Sequence, residues 1–199
     1  MTAYDEPTII DLFDLHGQRK YLNTQEARRF LAAANKAATP ERLFCLVLFY
    51  TGARISEVLE LNPRRLDVSD RRIIFRTLKR RKLSYRAVPV PTRLIRELNA
   101  LARPLGQDDR LFPFCRQTGW RIIKNIMERA RIDGPQATPR GLRHQFGIHA
   151  IEVQVPESLL QRWMGHARAR TTRVYTVFGG GEERRLAKRM WQESYRNLS

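Results

Sequence analysis

The chain contains only two cysteines, Cys45 and Cys115, and only four histidines among its 199 residues. Cys45 lies inside an apolar run, which indicates a core residue, and Cys115 is far from it in the sequence. A disulfide between the two cysteines is an alternative that the sequence does not decide. The cysteines and histidines make no zinc-ligand spacing. Cysteine usage therefore favours a reducing compartment and does not indicate a structural metal.

Long hydrophobic runs are missing as well. The longest, residues 43–50, has eight residues and is too short to span a bilayer. The acidic N-terminal stretch MTAYDEPTIIDLFD lacks the positive region and apolar core of a secretory signal peptide. The sequence therefore predicts a cytoplasmic protein that makes no use of a membrane.

Acidic residues are scarce relative to basic ones. The chain has 20 Asp+Glu against 37 Lys+Arg, which leaves a formal net charge of +17. Such an excess of cations attracts a polyanion, and nucleic acid is the usual one. Because the basic residues are spread along the chain rather than gathered in one amphipathic helix, a membrane surface is a weaker candidate.

Hydrophobic periodicity predicts a mainly α chain with one small antiparallel β-hairpin, which is an α+β fold. Helix starts are marked by Asn23, by Thr39 as N-cap before Pro40, and by Thr138 before a second proline. The run ERLFCLVLFY is apolar on nearly every side, so it is predicted to be a central core helix that ends at Gly52. A short helix marked by Ile55, Val58 and Leu59 is predicted to end at Asn62-Pro63. Further helices are predicted over 92–101 and 117–131 and from 156 onward, and strands over 73–78 and 85–90.

The predicted hairpin carries a cluster of cations. Its turn, KRRKLS, contains Lys79, Arg80, Arg81 and Lys82. A basic hairpin can enter a DNA groove and contact the backbone, although charge that protects an edge strand explains the same composition. A hairpin also has the reach to bring a lysine to a distant oxygen atom.

Three arginines fall at predicted helix starts, where unpaired N–H groups and the helix dipole favour anions. Arg54 follows the glycine of TGARISEV, and Arg140 and Arg143 share a face in the first turn of a later helix. Guanidinium forks match the oxygens of a phosphate, although a solvated basic face is the plain alternative. The neighbouring His144 and His149 lie between apolar positions and are interpreted as structural.

Tyr175 lies in a strongly basic stretch, MGHARARTTRVYT, with Arg168, Arg170 and Arg173 before it. Neighbouring cations favour the phenolate form of tyrosine, and a phenolate can attack phosphorus. Without other motifs, a core aromatic residue would be the more usual interpretation of Tyr175.

Five motifs follow one another in a characteristic order. They are TGARISE with Arg54, Lys79 on the hairpin with RAVP after it, RGLRH with Arg143, MGH with His166, and TTRVY with Tyr175 nine residues beyond that histidine. Together they resemble the catalytic domain of the tyrosine recombinases, the lambda-integrase family. The resemblance implies the fold of that catalytic domain.

The resemblance also implies a mechanism, which needs neither metal nor ATP because energy is kept in a covalent link. Tyr175 would attack the scissile phosphate, leaving a 3′-phosphotyrosyl link, and Lys79 would protonate the departing 5′-oxygen. Arg54 and Arg143 would hold the non-bridging oxygens, and His166 would hydrogen-bond the phosphate. The expected supporting residues are Glu57 and His144, and the expected DNA contacts are Arg80, Arg81, Lys82, Arg86, Arg168, Arg170 and Arg173.

Two positions depart from the family pattern or leave it ambiguous. Arg140 stands where most members have histidine, and an arginine cannot accept a proton, so a base role would pass to water or another group. Arg140 is nevertheless kept among the catalytic candidates as a permanent cation. Lys82 is a second candidate for the general acid, although Lys79 is preferred because it ends the first predicted strand.

The domain organisation predicted from the resemblance is an arm followed by one domain, and that domain ends in a distinct helix. Residues 1–20 form an N-terminal arm, 21–199 the catalytic domain, and 182–197, after the glycines 179–181, a C-terminal helix exchanged between subunits. The alternative for that helix is to fold back onto its own domain. No separate N-terminal core-binding domain is expected, which resembles the stand-alone invertases that switch fimbrial genes.

The predicted function is site-specific DNA recombination by inversion, integration and excision, or resolution of mobile DNA. The implied partners are double-stranded DNA with inverted-repeat sites, further copies in a homotetramer on DNA, and a host DNA-bending protein; the free protein would be a monomer or dimer in the bacterial nucleoid. One alternative is a type IB topoisomerase-like enzyme. Another is a non-catalytic sequence-specific DNA-binding regulator with the same fold, which Arg140 favours. A general packaging protein would need no ordered motifs.

Overall fold

The computed structural model describes residues 12–79 and 82–166, together with Thr172, Tyr175, Ala187 and Lys188. Within these residues, seven α-helices accompany one three-stranded antiparallel sheet, so the predicted mainly α, α+β architecture is confirmed. In chain order the elements are α1 (Thr24–Ala34), α2 (Thr39–Thr51), α3 (Ile55–Leu59), β1 (Leu66–Asp67), β2 (Arg72–Lys79), β3 (Lys82–Pro89), α4 (Thr92–Ala102), α5 (Arg116–Arg129), α6 (Pro139–Glu152) and α7 (Glu157–Met164).

The α2 helix is the central core helix that its sequence predicts. Residues 43–48 are all buried, and Gly52 ends the helix in the left-handed conformation with φ of 58°. The predicted N-cap is wrong by one residue, because Ala38 occupies that position and Thr39 is already helical. Since Pro40 has no N–H, a capping bond to that nitrogen is not available at this end.

Two other helix starts have the predicted caps. At α1, Asn23 Oδ1 accepts from the Glu26 N–H over 2.8 Å, while Glu26 Oε2 accepts from the Asn23 N–H over 2.9 Å. At α6, Thr138 Oγ1 accepts from the Gly141 N–H over 3.0 Å. These local bonds fix where both helices begin, and α6 then carries several candidate site residues.

The sheet has the order β1-β2-β3, and its hairpin is longer than predicted. Pairing continues to Lys79 opposite Lys82, so the prediction of a six-residue turn, KRRKLS, is wrong. Ladder bonds use only backbone groups, so charged side chains do not prevent pairing at the end of a hairpin. The two-residue β1 strand was not predicted from the sequence; it pairs with the start of β2.

Buried apolar side chains form two clusters of unequal size. The large cluster joins α1 to α5 with the sheet and includes Phe44 and Phe112. The small cluster lies between α6 and α7 and contains Leu12, Met164 and Tyr175. Leu12, which lies within the predicted arm of residues 1–20, therefore belongs to the same buried cluster as the candidate nucleophile.

Part of the C-terminal prediction lies outside the described residues. The glycines 179–181 and most of 182–197 are not among them, while Ala187 and Lys188 are helical. The exchange of a C-terminal helix therefore stays a prediction. No helix in the described part of the chain combines the length and apolar character needed to cross a membrane.

Candidate active site

Glu57 lies between two arginines at the start of α3. Its carboxylate accepts from Arg86 Nη1 and Nη2 over 3.0 and 2.7 Å, and from the Arg54 backbone N–H over 2.8 Å. Arg54 Nη1 adds a bond of 3.2 Å. Burial alone would raise the pKa of this carboxyl, but the bonds and charges of Arg86 and Arg54 outweigh burial and hold the pKa below its ordinary value. Glu57 is therefore ionised at neutral pH and fixes both arginines.

The side chain of Arg86 is buried, whereas a contact with DNA was expected from the sequence. Its side chain is 6% exposed, its Nε donates to the Trp163 carbonyl over 2.7 Å, and its guanidinium stacks on the Phe75 ring. Across the ladder Arg86 pairs with Phe75, so it points to the buried face of the sheet. The prediction of a DNA contact at Arg86 is thus wrong, and the residue supports Glu57 instead.

Arg143 joins the ends of two helices. Its Nη1 donates to the Gly52 carbonyl over 2.6 Å and its Nη2 donates to the Met164 carbonyl over 2.8 Å. Burial and the positive charge of Arg54 lower the pKa of Arg143 to about 10, against the opposing effect of Tyr175. Arg143 remains a cation at neutral pH, but holding two cations together costs free energy that a bound anion would offset.

Tyr175 is buried, and its ring lies against α6 at Gly147. A Cβ added at Gly147 would come within 2.7 Å of the Tyr175 ring, so only glycine allows this approach. The ring of His166 stacks on Tyr175 with centroids 6.3 Å apart and an interplanar angle of 11°. His166 Nδ1 is also 3.0 Å from Thr172 Oγ1. The structure therefore brings the MGH and TTRVY motifs together at one phenol.

His144 is buried, as a structural histidine would be, but it also contacts the phenol oxygen. His144 Nδ1 is 3.1 Å from Tyr175 Oη, and Arg140 Nε donates to His144 Nε2 over 3.1 Å. Burial and the charges of Arg140 and Arg143 lower the pKa of His144 to about 3, so the imidazole is neutral at physiological pH. His144 thus links Arg140, the departure from the family pattern, to Tyr175.

The predicted site residues divide into those that the structure places and those that it does not. Arg54, with 44% of its side chain exposed, stands at the solvent side of the arginines, and its charge acts on Arg143. The backbone of Lys79 and of Lys82 ends the hairpin, but their side chains lie outside the described part of the structure. The remaining candidates outside the described residues are Arg80, Arg81, Arg168, Arg170 and Arg173.

Three features of the site were not anticipated from the sequence. The contacts of Gly147 and Thr172 with the candidate residues depend on separate segments meeting, and nothing in the local sequence marks Gly147. The position of Arg86 could have been predicted, because it shares strand parity with the apolar Val88 and Val90. The alternation of side chains along a strand was a better guide there than positive charge.

The arrangement can bind an anion beside a phenol. Arg54 and Arg143 are close enough for their charges to interact, and Tyr175 acts electrostatically on Arg143. A phosphate bound between the two guanidinium groups would accept hydrogen bonds from both of them. Within the described residues, no group of three His, Cys, Asp or Glu side chains is placed to hold a metal ion.

Known proteins resemble this chain in both sequence and fold. The phage integrase family model matches residues 20–178. The tyrosine recombinase XerA of Pyrococcus furiosus is 31% identical over 167 residues, which are 79% of this chain and 57% of XerA. The chain thus spans little more than half the length of this curated relative.

Two solved structures agree with the fold. A crystal structure of XerA recombinase matches with a TM-score of 0.72 and 27% identity, over 85% of this chain and 64% of that one. The catalytic domain of bacteriophage HP1 integrase matches with a TM-score of 0.63 and 26% identity, over 84% of this chain and 93% of that domain. Because the family match runs from residue 20 through Tyr175 and the folds agree, the chain belongs to the phage integrase family.

Proposed function

We propose that this protein is a site-specific DNA recombinase that cleaves and rejoins DNA through a 3′-phosphotyrosyl intermediate. The observation that carries the proposal is the convergence of Tyr175 with Arg143 and His166, three residues from separate motifs. Family membership supports the same activity. The net charge of +17 supports a polyanionic substrate.

The arginines bind the scissile phosphate in the proposed mechanism. Arg54 and Arg143 donate to its non-bridging oxygens and stabilise the charge of the five-coordinate transition state. Glu57 and Arg86 do not touch the phosphate; they hold Arg54 through the buried bonds at the start of α3. His166 donates a further hydrogen bond to the phosphate. Binding the anion also relieves the repulsion between Arg54 and Arg143.

The chemical step exchanges one phosphodiester bond for another. Tyr175 Oη gives its proton to water and forms a bond to phosphorus, the bond from phosphorus to the 5′-oxygen breaks, and Lys79 gives that oxygen a proton. Lys82 is the alternative donor, because the two lysines pair at the end of the same hairpin. Attack by a 5′-hydroxyl on the phosphotyrosyl link reverses the step and rejoins the DNA.

The proposed substrate is double-stranded DNA with inverted-repeat sites, in the nucleoid of a bacterial cell. Four copies would assemble on two sites and exchange a C-terminal helix between neighbours, with a host DNA-bending protein as an accessory partner. Arg80, Arg81, Lys82, Arg168, Arg170 and Arg173 are proposed to contact the DNA backbone. The outcome is inversion, integration and excision, or resolution, depending on how the two sites are arranged.

A trapping experiment tests this function. Purified protein is incubated with duplex fragments of the source genome that carry random single-strand nicks, because cleavage beside a nick releases a short strand and prevents rejoining. We expect a covalent protein–DNA adduct on a denaturing gel, and sequencing of the trapped DNA then identifies the site. Tyr175→Phe should give no adduct, since it lacks the attacking oxygen.

Tyr85→Phe is the matched control, because Tyr85 is an exposed tyrosine on the sheet, away from the small cluster. It should form the adduct at the wild-type rate. Absence of any wild-type adduct, together with selective retention of particular fragments, would instead identify a non-catalytic DNA-binding regulator. Relaxation of a supercoiled plasmid that contains no trapped site would identify a topoisomerase-like activity.

A further inference from the structure

Arg140, His144 and Tyr175 form a continuous chain of hydrogen bonds. Arg140 Nε lies 3.1 Å from His144 Nε2, and His144 Nδ1 lies 3.1 Å from Tyr175 Oη. His144 is therefore the single side chain between a permanent cation and the phenol oxygen along this path. Arg140 and His144 lie one turn apart on α6, so the helix itself sets their spacing.

The first bond determines which nitrogen of His144 carries the proton. A guanidinium has only N–H donors and no acceptor, so the imidazole nitrogen that faces Arg140 must have a lone pair. In a neutral imidazole the proton then lies on Nδ1. The opposite tautomer would place the Nε2–H against the Arg140 N–H, two donors facing each other in a partly buried site. The Nδ1–H accordingly donates to Tyr175 Oη.

The surroundings keep the imidazole neutral. His144 is buried, and the charged groups that act on it are Arg140, Arg143 and Lys20, all positive. Burial and these charges lower the pKa of His144 to about 3. The only described hydrogen-bond partners of its ring are Arg140 and Tyr175. A doubly protonated ring, which would turn a second N–H donor toward the Arg140 Nε–H, is thus disfavoured at neutral pH.

We propose that Arg140 and His144 form a fixed chain of donors that ends on the Tyr175 oxygen and stabilises the phenolate during attack. The inference rests on the proposed function and deepens it. His144 is the catalytic residue of the pair because it touches the reacting oxygen, and Arg140 is a positioning residue that acts through His144. Arg140 thus stands where the family pattern has a histidine that can accept a proton, and it selects the tautomer of His144 instead.

This chain of hydrogen bonds determines where the proton of the Tyr175 phenol goes. Because Nδ1 already carries hydrogen, His144 is not the base that deprotonates Tyr175. As Oη bonds to phosphorus, its proton passes to water, the bond from phosphorus to the 5′-oxygen breaks, and that oxygen receives its proton from the hairpin lysine. His144 begins and ends the step with the same proton and contributes a donor whose bond strengthens as negative charge develops.

A spectroscopic measurement tests the tautomer without DNA. The chain has four histidines, so nitrogen-15 spectra of the imidazole rings are simple, and the signals of His144 are those that disappear in His144→Asn. We expect a protonated Nδ1 and an unprotonated Nε2 at neutral pH. In Arg140→Met the selection is lost, and His144 should become a mixture of tautomers. A wild-type ring protonated at Nε2 would overturn the proposal.

Two substitutions of His144 distinguish a hydrogen-bond donor from a general base. Asparagine at position 144 keeps an N–H close to the Nδ1 position but cannot accept a proton, whereas phenylalanine fills the site with neither property. His144→Phe should slow adduct formation by about 100-fold, as when one oxyanion donor is removed. His144→Asn should stay within about tenfold of wild type, because an amide donor replaces the imidazole donor.

His149→Asn is the matched control, since His149 lies on the exposed side of the same helix and should leave the rate unchanged. Equal losses in His144→Asn and His144→Phe, with thermal unfolding showing both folded, would mean that His144 acts as a base. If wild type forms no adduct on any DNA, the recombinase function fails, while the nitrogen-15 spectrum still decides the tautomer. The two proposals can therefore fail separately.

Discussion

The candidate site has two halves built in different ways. The arginine half comprises Arg54, Glu57, Arg86 and Arg143, and it is attached to the large cluster and the sheet. The tyrosine half comprises His144, His166, Thr172 and Tyr175, next to the small cluster between α6 and α7. Charge and its compensation hold the first half, whereas ring stacking and neutral hydrogen bonds position the second.

This difference indicates how each half responds to substitution. A buried carboxylate and a buried guanidinium depend on each other, because either one alone would leave an uncompensated charge. The position of a stacked phenol depends on how its ring fits against its neighbours. A small displacement of the ring moves the phenol oxygen but leaves no charge unpaired. Damage to the arginine half is therefore expected to cost folding free energy first, and damage to the tyrosine half to cost DNA cleavage first.

The largest effect on folding is expected at Glu57. Glu57→Gln leaves Arg86 buried without its counter-ion, and breaking a buried pair costs about 3–5 kcal/mol. The free energy of unfolding from urea denaturation, measured at pH 7, checks this value. At pH values below the ordinary range for glutamate the difference from wild type should shrink, because protonation of Glu57 removes the same charge.

Asp108→Asn is the comparison for an ion pair of the same type on the surface. Arg64 and Asp108 have 61% and 79% of their side chains exposed, so the loss should be below about 1 kcal/mol. Equal losses in the two variants would contradict the buried network at Glu57.

An intermediate effect on the free energy of unfolding is expected when the pH falls and His144 takes up a proton in the unfolded chain. The unfolded histidine takes up a proton near its ordinary pKa of 6.5, whereas the folded one does so only near 3. Stability due to neutral His144 is thus fully present above pH 6.5 and is lost as the pH falls toward 3. Between pH 7 and 4.5 this amounts to about 2–3 kcal/mol. Urea denaturation of wild type and His144→Asn at both pH values should show the difference, and parallel curves would contradict it.

The smallest effect on the free energy of unfolding is expected when a substitution in the tyrosine half changes only the packing around the Tyr175 ring and no charge. Gly147→Ala places a methyl group against the Tyr175 ring, but the gain in helix propensity offsets part of the strain, leaving a net loss of about 1 kcal/mol. Adduct formation should nevertheless fall sharply, because the phenol must move. Thermal unfolding and the trapping experiment measure the two effects.

Gly119→Ala makes the corresponding change in the large cluster. Its added Cβ would lie 2.9 Å from Phe44 Cζ, so after the same gain in helix propensity it should destabilise the fold by about 1 kcal/mol while leaving the adduct rate of the folded protein unchanged. A fall in adduct rate as large as that of Gly147→Ala would remove the distinction between the two halves.

Local chemistry in the sequence predicted much of the fold. The capping residues Asn23 and Thr138, the apolar body of α2 and its end at Gly52 needed no distant contact, and the structure confirms them. The motif order also predicted the family. The charged hairpin turn was wrong because backbone pairing, which charge does not oppose, continued to Lys79 and Lys82.

The contacts of the site were not predictable in the same way. The side chain of Arg86 was interpreted by its charge, yet burial opposite Phe75 placed it on Glu57, a residue 29 positions away. His144 was interpreted from its apolar neighbours as structural and from the family resemblance as a supporting residue, but its contact with a phenol 31 positions further along the chain became evident only in three dimensions. Burial and pairing decide which function a polar side chain can have, and both depend on distant segments.

By itself, the sequence determined the attraction to a polyanion, the helical framework and the set of residues that the family motifs contain. Charge, capping and periodicity are local properties, so they can be obtained from composition and spacing. The tertiary structure alone decided which arginine faces solvent, which one is buried on Glu57, and which nitrogen of His144 meets the phenol. Those outcomes depend on the relative positions of α3, β3, α6 and the residues around Tyr175, which only the packing of the whole domain specifies.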